Sequence, residues 1–177
     1  MLAVRELQST DIKHIVAYWT GADNHFLAGM GVDPGKIPSA SDLGDGLSAQ
    51  INTPIKEKKA WCIIWEVDGR EVGHCNTNPI VFGSHATMHL HMWDSTLRQR
   101  GLGAALVTLT LPLFFESLQL RKIICEPYAL NIAPNKTLKK VGFDFIRAYK
   151  TIPGSLSFEQ TVNRWEMSFE KFKSLYQ

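Results

Sequence analysis

The stretch Arg98-Gln99-Arg100-Gly101-Leu102-Gly103-Ala104 does most to limit what this chain can fold into. Before it, Met88 to Trp93 reads as a strand; after it, Leu102 to Leu118 reads as an apolar helix. Two glycines at such a strand-to-helix turn let the backbone approach a ligand with no Cβ in the way. The helix start presents N–H groups that lack intrahelical partners and the positive end of a dipole, so an anion fits there. With Arg98 and Arg100 alongside, the turn reads as a cradle for a pyrophosphate.

The common phosphate motifs do not match. No G-x-x-x-x-G-K-[ST] run occurs, which excludes a P-loop. Ala104, Ala105 and Leu106 follow Gly103, so the third glycine of a dinucleotide fingerprint is missing. What remains is Arg-x-x-Gly-x-Gly-Ala. A second segment runs Asn131-Ile-Ala-Pro-Asn-Lys-Thr-Leu-Lys-Lys-Val-Gly-Phe143. Pro134 suits a first helical turn and Gly142 the residue just past a helix end. The first motif resembles the acetyl-CoA signature Q/R-x-x-G-x-G/A of the GNAT superfamily of N-acetyltransferases. The second resembles N-x-x-S-x-x-L-x-x-K-x-G-F, typical of the branch that acetylates ribosomal-protein N-termini. Asn131, Lys140, Gly142 and Phe143 fall in register. The likeness covers Trp61 to Phe169 well and the first sixty residues in outline.

The resemblance implies an α/β fold: a mixed, mostly antiparallel sheet with splayed central strands, flanked by helices. It implies acetyl-CoA as acyl donor. The pantetheine arm would pair with the strand edge at His91, Met92 and Trp93. The pyrophosphate would sit on Arg98, Gln99, Arg100, Gly101, Leu102, Gly103 and Ala104. Asn131 and Asn135 would contact the cofactor, and Lys136 and Lys139 would approach its 3′-phosphate. The implied reaction is direct acyl transfer to a primary amine, of a peptide N-terminus or of a small molecule. An amine must lose a proton before it attacks a thioester, the oxyanion needs donors, and the departing thiolate needs a proton.

Two positions depart from the family pattern. Relatives often carry a glutamate near the position of Thr87, and no acid lies between Glu71 and Asp94. His89 and His91 alternate along one strand face instead, and a histidine titrates near neutral pH. They are the base candidates, with His74, Glu66 and Glu126 as further ones. A His-x-His pair can bind zinc, but no third ligand is evident, and no metal is expected. The family serine is Pro134, which has no hydroxyl; Tyr128 is the candidate acid. With both usual groups replaced, a non-catalytic acyl-CoA-binding sensor or partner module is the alternative reading.

At 177 residues the chain reads as one domain, 1–177, with 45% hydrophobic content and a net charge of +2. That charge gives no argument for nucleic acid. No apolar run reaches membrane-spanning length, and the N-terminus lacks a signal core. Cys62, Cys75 and Cys125 are far apart, which fits a reducing cytoplasm. A monomer or homodimer is expected.

The expected strands are Ala3 to Leu7, Trp61 to Val67, Glu71 to Asn76, His85 to Trp93, Ile123 to Cys125, Phe143 to Tyr149 and Arg164 to Phe169. Ser9-Thr10-Asp11 caps a helix through Trp19. Pro112 should kink or shorten the long helix. Lys171 to Gln177 reads as a tail. The glycine-rich Thr20 to Pro54 holds one helix, Ser41 to Asn52. Its acids Asp23, Asp33, Asp42 and Asp45 are candidates to hold a cationic amine, and Trp93, Tyr149, Phe158 and Trp165 to line a pocket.

Overall fold

Runs of apolar residues bounded by turn residues set the strands, and the β2 run is buried on both faces. The computed structural model describes residues 1–98 and 101–177. Among the described residues, seven strands form one sheet: β1 (Leu2–Glu6), β2 (Trp61–Val67), β3 (Arg70–Val81), β4 (His85–Met92), β5 (Lys122–Cys125), β6 (Asp144–Thr151) and β7 (Gln160–Ser168). Their order across the sheet is β1-β2-β3-β4-β5-β7-β6. All neighbours are antiparallel except β4 and β5.

Six α-helices among the described residues accompany the sheet: α1 (Ile12–Thr20), α2 (Asn24–Gly29), α3 (Ala40–Asn52), α4 (Leu102–Ser117), α5 (Ile132–Val141) and α6 (Phe169–Tyr176). α4 and α6 bury Leu106, Leu111, Phe114, Phe115 and Phe172 against Ile63, Trp65, Cys75, Met88 and Ile123 on one face of the sheet. On the opposite face, Ile15 of α1 packs with Leu7, Cys62 and Ile64, joined by Trp19, Leu47 and Trp93. Burying apolar surface on both faces is what holds such a layered sheet together.

Several elements differ from the sequence reading. Pro112 lies inside α4 without shortening it. Leu111, Phe114 and Phe115 around it are buried, and that packing outweighs the hydrogen bond proline removes. α2 is an extra helix, capped by Asp23, whose carboxylate accepts the Phe26 N–H at 2.8 Å. Residues 171–176 are helical rather than a tail: the Ser168 hydroxyl accepts the Lys171 N–H, and Phe172 is buried on Phe115. β3 continues to Val81 across a register shift between Thr77 and Ile80. Asp11 is the residue that fastens β1 to α1. It is buried and paired with the Arg5 guanidinium at 2.6 and 2.9 Å. Burial pushes its carboxyl up, but the Arg5 bonds and the Gln8 N–H outweigh this and leave it below the usual range.

Candidate active site

The parallel pair β4–β5 is short. Pairing holds at His85, Ala86 and Thr87 against Lys122, Ile123 and Ile124, and there it stops. β4 continues alone to Met92, while β5 ends at Cys125. The two strands therefore splay, and one edge of β4 is left unpaired from Met88 onward.

Which backbone groups face that edge follows from antiparallel alternation. The Trp93 N–H donates to the Val72 carbonyl at 2.8 Å, so position 93 faces β3. His91 and His89 then face β3 as well, and Met88, Leu90 and Met92 face the gap. Two contacts agree: the Met88 N–H meets the Cys125 thiol, and the Met92 carbonyl accepts from the Arg98 guanidinium at 2.9 Å. This corrects the expected edge. The backbones of His91 and Trp93 are spent on β3, Met92 keeps its place, and Leu90 joins it. Strand parity was the signal that would have found Leu90.

At the head of α4, Gly101 is the N-cap residue with φ +76°, a left-handed conformation that side chains strain. No side chain caps α4 among the described residues, so its first-turn N–H groups point outward uncapped. A Cβ on Gly101 would lie 3.3 Å from Lys140 Nζ, whereas one on Gly103 would make ordinary contact with Thr137 at 3.7 Å. Only the first glycine is demanded by the fold. Lys140 of α5 thus stands beside this turn, while Lys136 and Lys139 are exposed. Leu102 and Ala104 open the helix, Ala104 being buried. The Arg98 guanidinium does not turn toward the helix start. It is occupied by the Met92 carbonyl and lies 4.6 Å from the centre of the Phe26 ring. Gln99 and Arg100 lie outside the described residues.

The gap opens into a cleft of about 480 Å³. Its floor is the sheet face carrying Asn76, His74, His89 and His91; its far end holds Glu126, Tyr128, Asn131 and Pro134. The three histidines differ sharply. His74 is 3% exposed and its Nδ1 accepts the Trp93 Nε1–H at 2.7 Å, which fixes its proton on Nε2. Burial, with a smaller contribution from His89, pulls its pKa down to about 3. His91 stacks on His74 with ring centres 4.6 Å apart, and its Nδ1 is 3.3 Å from the Tyr18 hydroxyl. Burial, then His74 and His89, hold it well below the ordinary histidine value. His89 Nε2 bonds the Asn78 carbonyl at 2.9 Å, in the irregular part of β3. Burial lowers its pKa too, but the Asn78 carbonyl and Glu126 act the other way. A nitrogen that faces a carbonyl carries the proton, which leaves Nδ1 as an acceptor. His89 is therefore equipped to take a proton, and His91 is built into the cleft floor.

The other candidates sort equally clearly. Glu126 accepts from Arg164 Nη1 at 2.7 Å and from the Tyr149 hydroxyl. Both of its donors hold that carboxylate against the wall. Glu66 is bound by Arg5 at 2.6 Å at the β1–β2 end of the sheet and does not line the cleft. Asn135 does not present its side chain to a ligand. Its Nδ2 donates to the Tyr128 and Asn131 carbonyls, and its Oδ1 accepts from Asn163 and Trp165. That carboxamide instead fastens the start of α5 to β7. Asn131 caps α5 through its backbone, makes no side-chain cap bond, and lines the cleft. Tyr128 does so too, its ring edge-on to Phe158 at 5.7 Å. Trp93, Tyr149, Phe158 and Trp165 do not line it; Trp19 does. Among the described residues no group of three or more His, Cys, Asp or Glu gathers at metal-binding distance.

This fold and this gap have counterparts. Residues 2–144 match the family model of the acetyltransferase (GNAT) domain, so the chain belongs to the GNAT acetyltransferase family. Its members are N-acetyltransferases that take their acyl group from acetyl-CoA. A comparison with curated proteins finds no match in sequence. Among solved structures, RimL, a ribosomal L7/L12 alpha-N-protein acetyltransferase in complex with coenzyme A, is similar at TM-score 0.77 and 13% identity, covering 96% of this chain and 95% of that one. Spermidine N-acetyltransferase from Vibrio cholerae, with CoA and spermine, is similar at TM-score 0.78 and 16% identity, with 97% and 98% covered. The aminoglycoside acetyltransferase AAC(6')-Ib with coenzyme A is similar at 0.75 and 14%, with both chains covered in full. At these identities the likeness is one of fold. No helix among the described residues is long and apolar enough to cross a membrane.

Proposed function

We propose that this protein transfers an acetyl group from acetyl-CoA directly to a primary amine in the β4–β5 cleft. The observation that carries this reading is the splay itself: an unpaired strand edge at Leu90 and Met92 leads from an uncapped helix start to a cleft containing histidines. The residues fit the donor. The first-turn N–H groups of α4, with Lys140 beside them, suit the pyrophosphate. The Leu90 backbone and the Met92 N–H suit the amide groups of the pantetheine arm. Asn131 lies at the cleft end of the gap.

When bound, acetyl-CoA supplies an activated acyl carbon; the chain's own residues manage position and protons. His89 Nδ1 takes the proton that the amine sheds as the new N–C bond forms and the C–S bond breaks. Tyr128 supplies the proton taken up by the leaving sulfur. His74 and His91 stay uncharged and shape the floor. The apolar walls exclude water, which otherwise competes as nucleophile.

The test is release of free thiol from acetyl-CoA across a panel of primary amines, with CoA binding followed by calorimetry. Amine-dependent release is expected. If CoA binds and no amine stimulates release, the chain is a non-catalytic acyl-CoA-binding module.

A further inference from the structure

The acids of the Thr20 to Pro54 region stay outside the cleft. Asp23 is spent on the Phe26 N–H, Asp33 accepts the Gly35 N–H at 3.0 Å, and Asp42 accepts the Ser39 hydroxyl at 2.7 Å. None of these lines the cleft, nor does Asp45. Among the described residues Glu126 is the one carboxylate in its wall, and Arg164 already neutralises it. This corrects the expectation that these acids hold a cationic amine.

What this region and its neighbours contribute instead is uncharged and mostly apolar; within the region Gln50 of α3 is the polar exception. Trp19 from α1, Leu43 and Leu47 from α3, and Met30 and Leu156 from two loops line the cleft. Those two loops are fastened together as a roof. Gln160 Nε2 donates to the Gly31 carbonyl at 2.6 Å, the Asp33 N–H donates to the Leu156 carbonyl at 2.8 Å, and Val32 bridges Ser157. Met30 and Leu156 are thereby held over the cleft. Below them, burial keeps the floor histidines in the uncharged form. A cation placed here gives up hydration and meets a single carboxylate, Glu126, which Arg164 and Tyr149 already occupy.

Resting on the acetyl-transfer reading above, we propose that the acceptor is a primary amine joined to an apolar body and bearing no second positive charge. The polycations that spermidine and aminoglycoside acetyltransferases act on are discriminated against by this cleft. The same surroundings assist the chemistry. An apolar setting disfavours ammonium relative to amine, so the bound acceptor sheds its proton more readily than in water. This offsets the lack of a glutamate on β4.

The test compares matched amines on the intact protein. Hexylamine and 1,6-diaminohexane differ by one terminal charge. A 2-phenylethylamine arm and a tripeptide arm with N-terminal leucine separate a small-molecule source from a peptide one; spermidine and kanamycin represent polycations. The expected result is kcat/KM at least about 10-fold higher for hexylamine than for the diamine, with the same order in calorimetric binding to the CoA-loaded protein. Leu47→Glu should narrow or reverse that ratio. Should that variant unfold, Leu43→Glu, one turn earlier on α3, makes the same test. Spermidine, kanamycin or the diamine performing as well as hexylamine would overturn the proposal while leaving the acetyltransferase reading intact. If no amine is acetylated, the transfer reading fails, and calorimetric preference between hexylamine and the diamine still decides this one.

Discussion

The two ends of the β4–β5 gap are built from different materials. At the head of α4 the working groups are backbone: the N–H groups of a first turn whose N-cap is Gly101 in a left-handed conformation, beside an unpaired strand edge. At the cleft the working groups are side chains drawn from α1, α3, β3, β4 and the loops around Met30 and Leu156. A backbone site constrains few residues tightly and accepts one kind of ligand. A side-chain site constrains many residues loosely, and its chemistry changes with each substitution. Relatives of one fold can therefore share a donor and differ in acceptor.

Four measurements break or sharpen that contrast. The largest effect is expected at His89. His89→Gln should lower turnover by roughly 10²-fold and leave CoA binding unchanged. The base works only when unprotonated, and burial lowers its pKa. In the wild type, activity should therefore fall only as pH drops below about 6.5, and that acidic limb should vanish in the variant. Normal turnover in His89→Gln would move the base elsewhere.

Next is Gly101→Val. Its left-handed φ strains a β-branched residue, and reshaping the turn should weaken CoA by about tenfold or more. Unchanged affinity in a folded variant would remove the turn from the donor site.

The third effect is on stability, and it belongs to the cleft alone. His74 titrates near 6.5 when unfolded and at about 3 when folded. The unfolded chain therefore binds more protons between those values. Stability is fully present above pH 6.5 and is lost as pH falls toward 3. Protonation also turns the nitrogen that accepts from Trp93 into a donor. A lower melting temperature at pH 5 than at pH 7 is expected, with a shallower dependence in His74→Gln. An identical slope in that variant would assign the acid sensitivity to other groups.

The smallest effect is expected at Gly103. A Cβ there meets only ordinary contact with Thr137, and alanine suits a helix better than glycine. Gly103→Ala should fold with equal or slightly raised melting temperature. A clear drop would show that the second glycine is demanded by packing after all.

The same contrast explains what the sequence disclosed. The turn at Gly101 was legible because a left-handed backbone narrows the choice of residue to almost one. Most strands were legible from their apolar runs, and Gly142 from its place past α5, where φ is +94°. The cleft was only half legible. That His89 and His91 share a face follows from parity, but that one bonds the Asn78 carbonyl depends on an irregularity in β3, and that the other meets Tyr18 edge-on depends on α1, far away in sequence. Asn135 carries the residue type of a ligand contact, yet Asn163 and Trp165 consume it. The acids near α2 and α3 looked like a cation site because composition cannot tell a helix cap from a pocket wall. α6 escapes the sequence for a simpler reason: Phe169 reads as the end of the preceding strand, and Phe172 falls in the expected tail.

The register of β4 carries a consequence for how such a protein can change over time. One alternation places Met88 in the core against α4, sends His89 and His91 to the cleft, and turns the Leu90 backbone to the gap. Deleting or inserting a single residue within the strand would exchange all of these at once. The imidazoles would enter an oily layer, and the edge groups would turn back on β3. Length changes are closed to this strand, whereas the loops over the cleft are fastened only at a few points and can lengthen or shorten. Divergence among such enzymes should accumulate as substitutions in the strand and as insertions in the roof.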